Sequence, residues 1–136
     1  MANEVVAHYL DGRLVKGTTL DVDPSRPTCH IKTAERGMVR IMLAELKALF
    51  FVRTLGGDPS YQEGIALDSS DARNRGAAQI ELQFADGERL VGLTTRFPPV
   101  RPFFYVLPAD VRSNNIRILV NRLAVQRLGQ PAAAMG

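Results

Sequence analysis

The chain repeats itself at an interval of 75 residues, and this limits its fold more than any other feature. Val5-Val6-Ala7-His8-Tyr9-Leu10-Asp11-Gly12 recurs as Ile80-Glu81-Leu82-Gln83-Phe84-Ala85-Asp86-Gly87. The same offset pairs Gly17 with Gly92, Thr19 with Thr94, Pro24 with Pro99, Arg26 with Arg101 and Pro27 with Pro102. Over residues 11–35, 8 of 25 positions are identical without a gap. The register slips by two near Ser113-Asn114-Asn115, after which Val39-Arg40-Ile41 matches Ile116-Arg117-Ile118 and Leu46 matches Leu123. Each copy spans about 50 residues. The fold must therefore be a small unit used twice.

Val5, Ala7 and Tyr9 alternate with Glu4, Val6 and His8, and Ile80, Leu82 and Phe84 alternate with Glu81 and Gln83. Alternation ending in Asp-Gly predicts a strand entering a tight hairpin, since glycine supplies the positive φ the turn requires. Returning strands are predicted at Arg13–Leu20 and Glu88–Thr95, each with an interior glycine that marks a bulge or sharp bend. Third strands follow at Thr28–Lys32 and Phe103–Leu107, and fourth strands at Met38–Leu43 and Asn115–Val120. Single 3₁₀ turns are expected at Ala44-Glu45-Leu46 and Asn121-Arg122-Leu123, before fifth strands at Lys47–Arg53 and Ala124–Leu128.

Five short strands with a 3₁₀ turn before the last resemble SH3-like and Sm-like modules, and Tyr9-Leu10-Asp11-Gly12-Arg13-Leu14-Val15-Lys16-Gly17 resembles the start of an Sm-type barrel. The likeness implies an all-β chain: two tandem five-stranded SH3-like/Sm-like barrels packed on each other. The barrels would occupy residues 1–53 and 79–129, with a linker loop at 54–78 and a flexible tail at 130–136. The chain is also similar to an uncharacterised bacterial domain family sometimes found beside PilZ domains. That likeness is carried by Leu46-Lys47-Ala48-Leu49-Phe50-Phe51-Val52, Pro108-Ala109-Asp110 and Ser113-Asn114-Asn115.

Units of this size bury too little apolar surface to stand comfortably alone. Leu49, Phe50, Phe51 and Val52 form an unbroken apolar run, as expected of a strand buried on both faces, so they are the candidate interface strand. Homodimerisation through the same strand is the rival reading. In the linker, Tyr61, Ile65 and Leu67 are candidates to dock on a barrel.

Composition narrows the function classes. No apolar run is long enough to span a membrane, no secretory signal is visible, and the single Cys29 excludes an internal disulfide framework. A cytoplasmic location is expected. Arg dominates the basic residues, 14 to 3 Lys, and the net charge is −1 over residues 1–68 but +4 over 69–136. Guanidinium groups suit phosphate and carboxylate, so Arg26, Arg96, Arg101 and Arg112, with Phe104 as a stacking ring, are the anion or partner-binding candidates. The retained Arg26 and Arg101 point to a shared carboxylate or anion contact.

Catalytic chemistry finds little support. Cys29 and His30 are adjacent on a strand and face opposite sides, and His8 with Cys29 lacks an orienting third group. Asp21 and Asp23 form a conceivable cation site in one copy only, but solvated strand-end carboxylates are the better reading. No metal site or cofactor is expected. A PilZ-like nucleotide site is weakened by Thr28, which stands where that pattern needs glycine, and by the misplaced Arg96–Arg101 pair. The expected function is a non-enzymatic interaction or regulatory adaptor module for a protein partner. The alternative is an Sm-like binder of RNA or single-stranded nucleic acid, or a nucleotide-sensing module.

Overall fold

The computed structural model describes residues 2–57, 60, 61, 64 and 72–131. Among them every regular element is a strand or a short 3₁₀ turn. The strands are β1 (Asn3–Tyr9), β2 (Leu14–Thr19), β3 (Thr28–Thr33), β4 (Gly37–Met42), β5 (Leu46–Val52), β6 (Ala78–Phe84), β7 (Arg89–Thr94), β8 (Phe103–Pro108), β9 (Asn115–Asn121) and β10 (Val125–Gly129). The 3₁₀ turns are Leu43–Glu45, Ala72–Asn74 and Arg122–Ala124. The predicted strands are therefore present, with ends shifted by a residue or two.

The hydrogen-bonded order is β10-β6-β7-β8-β9-β5-β1-β2-β3-β4, a single antiparallel sheet whose outer strands are β10 and β4. In place of two separately closed barrels, the fold is an open sheet in which the order fifth-first-second-third-fourth strand occurs twice. The physical reason lies at β5. Its second edge pairs with β9, as Ala48↔Val120, Leu49↔Leu119 and Phe50↔Ile118, instead of closing its own half.

The halves match in detail. Gly12 and Gly87 have φ of 92° and 96° at equivalent hairpin turns. The Thr19 and Thr94 hydroxyls donate to His30 O and Tyr105 O. A Cβ on Gly17 would lie 2.2 Å from Lys32 O, and one on Gly92 would lie 2.0 Å from Leu107 O. The strand glycines thus mark a corner where two backbones touch. Both fifth strands carry a register shift at the same place, which leaves Lys47 and Gln126 as the extra residues.

One expectation is corrected. Cys29 pairs with Ile41, and Phe104 with Val120. Beyond the third strand the offset is therefore 79, not 77, and the loop after β8 holds four extra residues. Leu123 is 88% exposed and is no counterpart of the buried Leu46. A two-residue error keeps every side chain on its correct face, so alternation cannot detect it.

Two apolar clusters form the core. The first-half cluster contains Val5, Ala7, Val15, Ile31, Ile41, Leu46, Leu49 and Phe51, and reaches into the second half through Leu119. The second-half cluster contains Ile80, Leu82, Phe84, Phe104, Val106, Ile118 and Val120, together with Val6, Ala48, Phe50 and Val52 of the first. The sheet turns one face inward in the first half and the opposite face inward in the second. That is why all seven residues of β5 are buried. Each large apolar side chain enclosed there contributes about 1.5–3 kcal/mol.

Candidate interaction surface

Because the halves curl in opposite senses, equivalent faces meet different fates. In the second half, the outward face of β7, β8 and β9 carries Val91, Leu93, Phe103, Tyr105 and Leu119, all buried or half-buried. Phe103, Tyr105 and Leu119 pack on the first-half core. In the first half the equivalent positions are Lys16, Thr18, Thr28, His30 and Arg40, and of these Lys16, His30 and Arg40 are exposed.

The open face pairs Lys32 with Met38, His30 with Arg40 and Thr28 with Met42 across the β3–β4 ladder. Met38 is 64% and Met42 43% exposed. Beside them lies a groove of about 600 Å³ with Leu14 and Leu55 as apolar wall and Lys16, Lys32 and Arg36 as basic rim. Among the described residues Lys16, Lys32, Arg36 and Arg40 make no ion pair. Exposed methionines beside unpaired cations, with β4 an open edge, make this the surface best equipped for contact. Only the tertiary structure shows that the counterparts of these outward side chains are covered.

Asp21 caps this face. Its carboxylate accepts from His30 N at 2.9 Å, and lies 2.7 Å from His30 Nδ1 and 3.2 Å from Thr19 Oγ1. The His30 side chain, followed by its backbone N–H, holds the Asp21 carboxyl below the usual range. Sequence reasoning missed this pairing, which joins the end of β2 to β3 across a nine-residue separation. Asp23 is turned toward its own loop, where it accepts from Ser25 N and Oγ. Among the described residues no cluster of three or more metal-ligating side chains exists.

The arginine candidates do not converge. Arg26 and Arg101 are exposed, with Arg26 Nε 3.8 Å from Asp23 Oδ2. The charge of Arg101 adds to the pull on Asp23, whose carboxyl is lowered chiefly by Ser25. Of the two matched arginines, only Arg26 comes within ion-pair distance of that carboxylate. Arg96 lies in the same loop as Arg101, whereas Arg112 lies beyond the far end of β8, about 20 Å away at strand spacing.

Phe104 is a correction: at 8% exposure it belongs to the second-half core and offers no face to a base. Leu49, Phe50, Phe51 and Val52 lie in β5, paired to β1 on one edge and β9 on the other. That leaves β5 no edge for a homodimer.

Polar contacts fasten the halves. Lys47, 8% exposed, reaches Asp86 Oδ2 at 2.7 Å and Glu88 Oε1 at 2.8 Å in the second-half hairpin turn. Burial works against its charge, but these hydrogen bonds outweigh burial and raise its pKa. Asn121 Nδ2 donates to Leu46 O at 2.8 Å in a buried position. Asn114 exchanges hydrogen bonds with Thr54 N and O, extending the β5–β9 seam. In the linker, Tyr61 donates to Asp110, and Arg73 donates to Pro108 O and Ala109 O. Ile65 and Leu67 lie outside the described residues.

Nucleophilic chemistry is poorly served. Cys29 is fully buried, and burial pushes its thiol up to about 11. His8 adjoins Phe50, with ring centroids 4.4 Å apart, on the opposite face of the sheet from Cys29. Among the described residues no helix is long and apolar enough to cross a membrane.

A protein-family model described as a family of unknown function (DUF6982) matches residues 1–130. No curated protein and no solved structure matches the chain.

Proposed function

The chain belongs to that family of unknown function, and from its geometry we propose that it is a non-enzymatic interaction module binding a protein partner through the open face of β2, β3 and β4. One observation carries this reading. The face that the second half seals with its neighbour is left uncovered in the first half, and there it presents Met38, Met42 and unpaired cations. Each half is read as an SH3-like/Sm-like unit, with one unit serving as the internal partner of the other. The location is taken as cytoplasmic.

Nucleic acid is the weaker reading. Single-stranded recognition relies on rings that stack on bases, and among the described residues β2, β3 and β4 offer on this face cations and methionines but no ring other than His30, which is engaged with Asp21.

The test is a pull-down from cell lysate, with and without nuclease treatment, using the full chain and a Met38→Glu, Met42→Glu double variant. A defined protein retained by the wild type and lost from the variant is expected. Equal recovery by both, or loss of all bound material on nuclease treatment, contradicts the proposal.

A further inference from the structure

Both ends of the sheet are strand edges, and the chain itself shows what such an edge can accept. β9 is the second-half equivalent of β4, and it takes β5 as an antiparallel neighbour over Ala48–Val52. Among the described residues β4 has no such neighbour. We infer that β4 accepts an extended segment of a partner protein as an added antiparallel strand, with an acidic residue opposite Arg40 and apolar residues two positions to either side. This deepens the reading of the open face as a docking surface and rests on it.

The side-chain chemistry follows from the internal example. Leu49 faces Leu119 and Phe51 faces Arg117 across the β5–β9 ladder. The equivalents of Leu119 and Arg117 on β4 are Arg40 and Met38. An incoming strand therefore meets a cation in the middle of β4 and a methionine at Met38 and Met42 on the same face. Directly opposed residues on antiparallel strands interact most strongly, and opposite charges there are favourable. Lys32, Lys16 and Arg36 extend the positive field inward from Arg40, against the single acid Glu35 of that turn. On the other face, Val39 and Ile41 continue the first-half core and favour apolar residues. Main-chain hydrogen bonds would supply affinity, and the alternating side chains selectivity.

A second copy of the chain is a poor occupant. β10 is the equivalent of β5, but it carries Arg127 where β5 has Ala48, and Gly129 where β5 has Phe50. Head-to-tail pairing would place Arg127 in a position that is apolar in the internal example. It would also set Leu128 opposite Arg40.

The test is selection of a random displayed library of peptides about twelve residues long on the purified full chain. Anisotropy titration of the most enriched labelled peptide follows, against wild type, Arg40→Glu, Arg40→Lys and Met38→Glu. Both substituted sites are exposed, and thermal melting confirms that each of the three variants is folded. Enrichment of alternating apolar sequences with a central Asp or Glu is expected. Arg40→Glu should weaken binding roughly tenfold, Arg40→Lys should largely preserve it, and reselection on Arg40→Glu should enrich Lys or Arg at the central position. If Met38→Glu abolishes binding but Arg40→Glu changes neither affinity nor preference, the acidic-strand inference falls and the docking face stands. If neither variant matters, or no peptide is enriched, both fall. Self-association of the wild type in sedimentation velocity that Arg40→Glu abolishes would replace the partner segment with a second copy and overturn the inference.

Discussion

Arg117 lies over the ring of Phe51, its cross-strand partner, with the guanidinium carbon 4.2 Å from the ring centroid; Tyr105 flanks the same group at 4.7 Å. The contact joins the edge of one half to the core of the other. A strand of the second half thereby becomes a wall of the first, and the fold depends on this sharing.

Phe51→Ala removes both the ring that Arg117 covers and part of the first-half core. A loss of about 3–5 kcal/mol is expected, measured by urea denaturation. Arg117→Ala should cost about 1 kcal/mol, the size of a partly exposed cation–π contact.

The two corner glycines should behave alike. A Cβ at Gly17 or Gly92 meets a carbonyl oxygen at close to 2 Å, so each Gly→Ala change should cost about 3 kcal/mol or more, at or above the upper range of overpacking. Gly12→Ala meets no neighbour but must hold φ at 92°, and should cost about 1–2 kcal/mol. Similar effects at Gly17 and Gly92 in thermal melts would agree with duplicated corners, and a benign change at either site would not.

Lys47 holds Asp86 and lowers its carboxyl below the usual range, chiefly through their hydrogen bond. A folded pKa depressed in this way gives stability that is present above the unfolded value and lost as pH falls through the folded one. The melting temperature should drop as pH is lowered below about 4. Lys47→Met should shrink the Asp86 contribution to that drop. The effect is modest because Asp86 is largely solvated.

His8 has a lowered pKa, first from burial and then from the charge of Lys47. Protonation therefore favours the unfolded chain, and stability should decline as pH falls below about 6.5. His8→Gln places at this site the residue found at the equivalent Gln83, and should flatten the stability profile between about pH 5 and 7. An unchanged profile in calorimetry would show that His8 is not the titrating group.

Much of the architecture is legible in the residues. Asp11-Gly12 and Asp86-Gly87 mark the hairpins, and the unbroken run Leu49 to Val52 reports a strand enclosed on both faces. Other features are not local. The offset of 79 after β8 escapes alternation because a two-residue shift preserves facing. Alternation sets Phe104 and Tyr105 on opposite faces without saying which core each meets; Phe104 enters its own core while Tyr105 packs against the other half. Nothing local singles out Met38 and Arg40 until their counterparts Arg117 and Leu119 are seen against β5. Which of two equivalent faces is covered depends on long-range pairing, which no short window of sequence encodes.

The shared seam is tested most directly by residue-resolved hydrogen exchange of the intact chain. The amides of Ala48–Phe51 and Ile118–Val120 should be among the slowest, exchanging only with global unfolding and at one common rate for both halves. Fast exchange at these amides, or halves that open at separate free energies, would contradict a single sheet joined through β5 and β9.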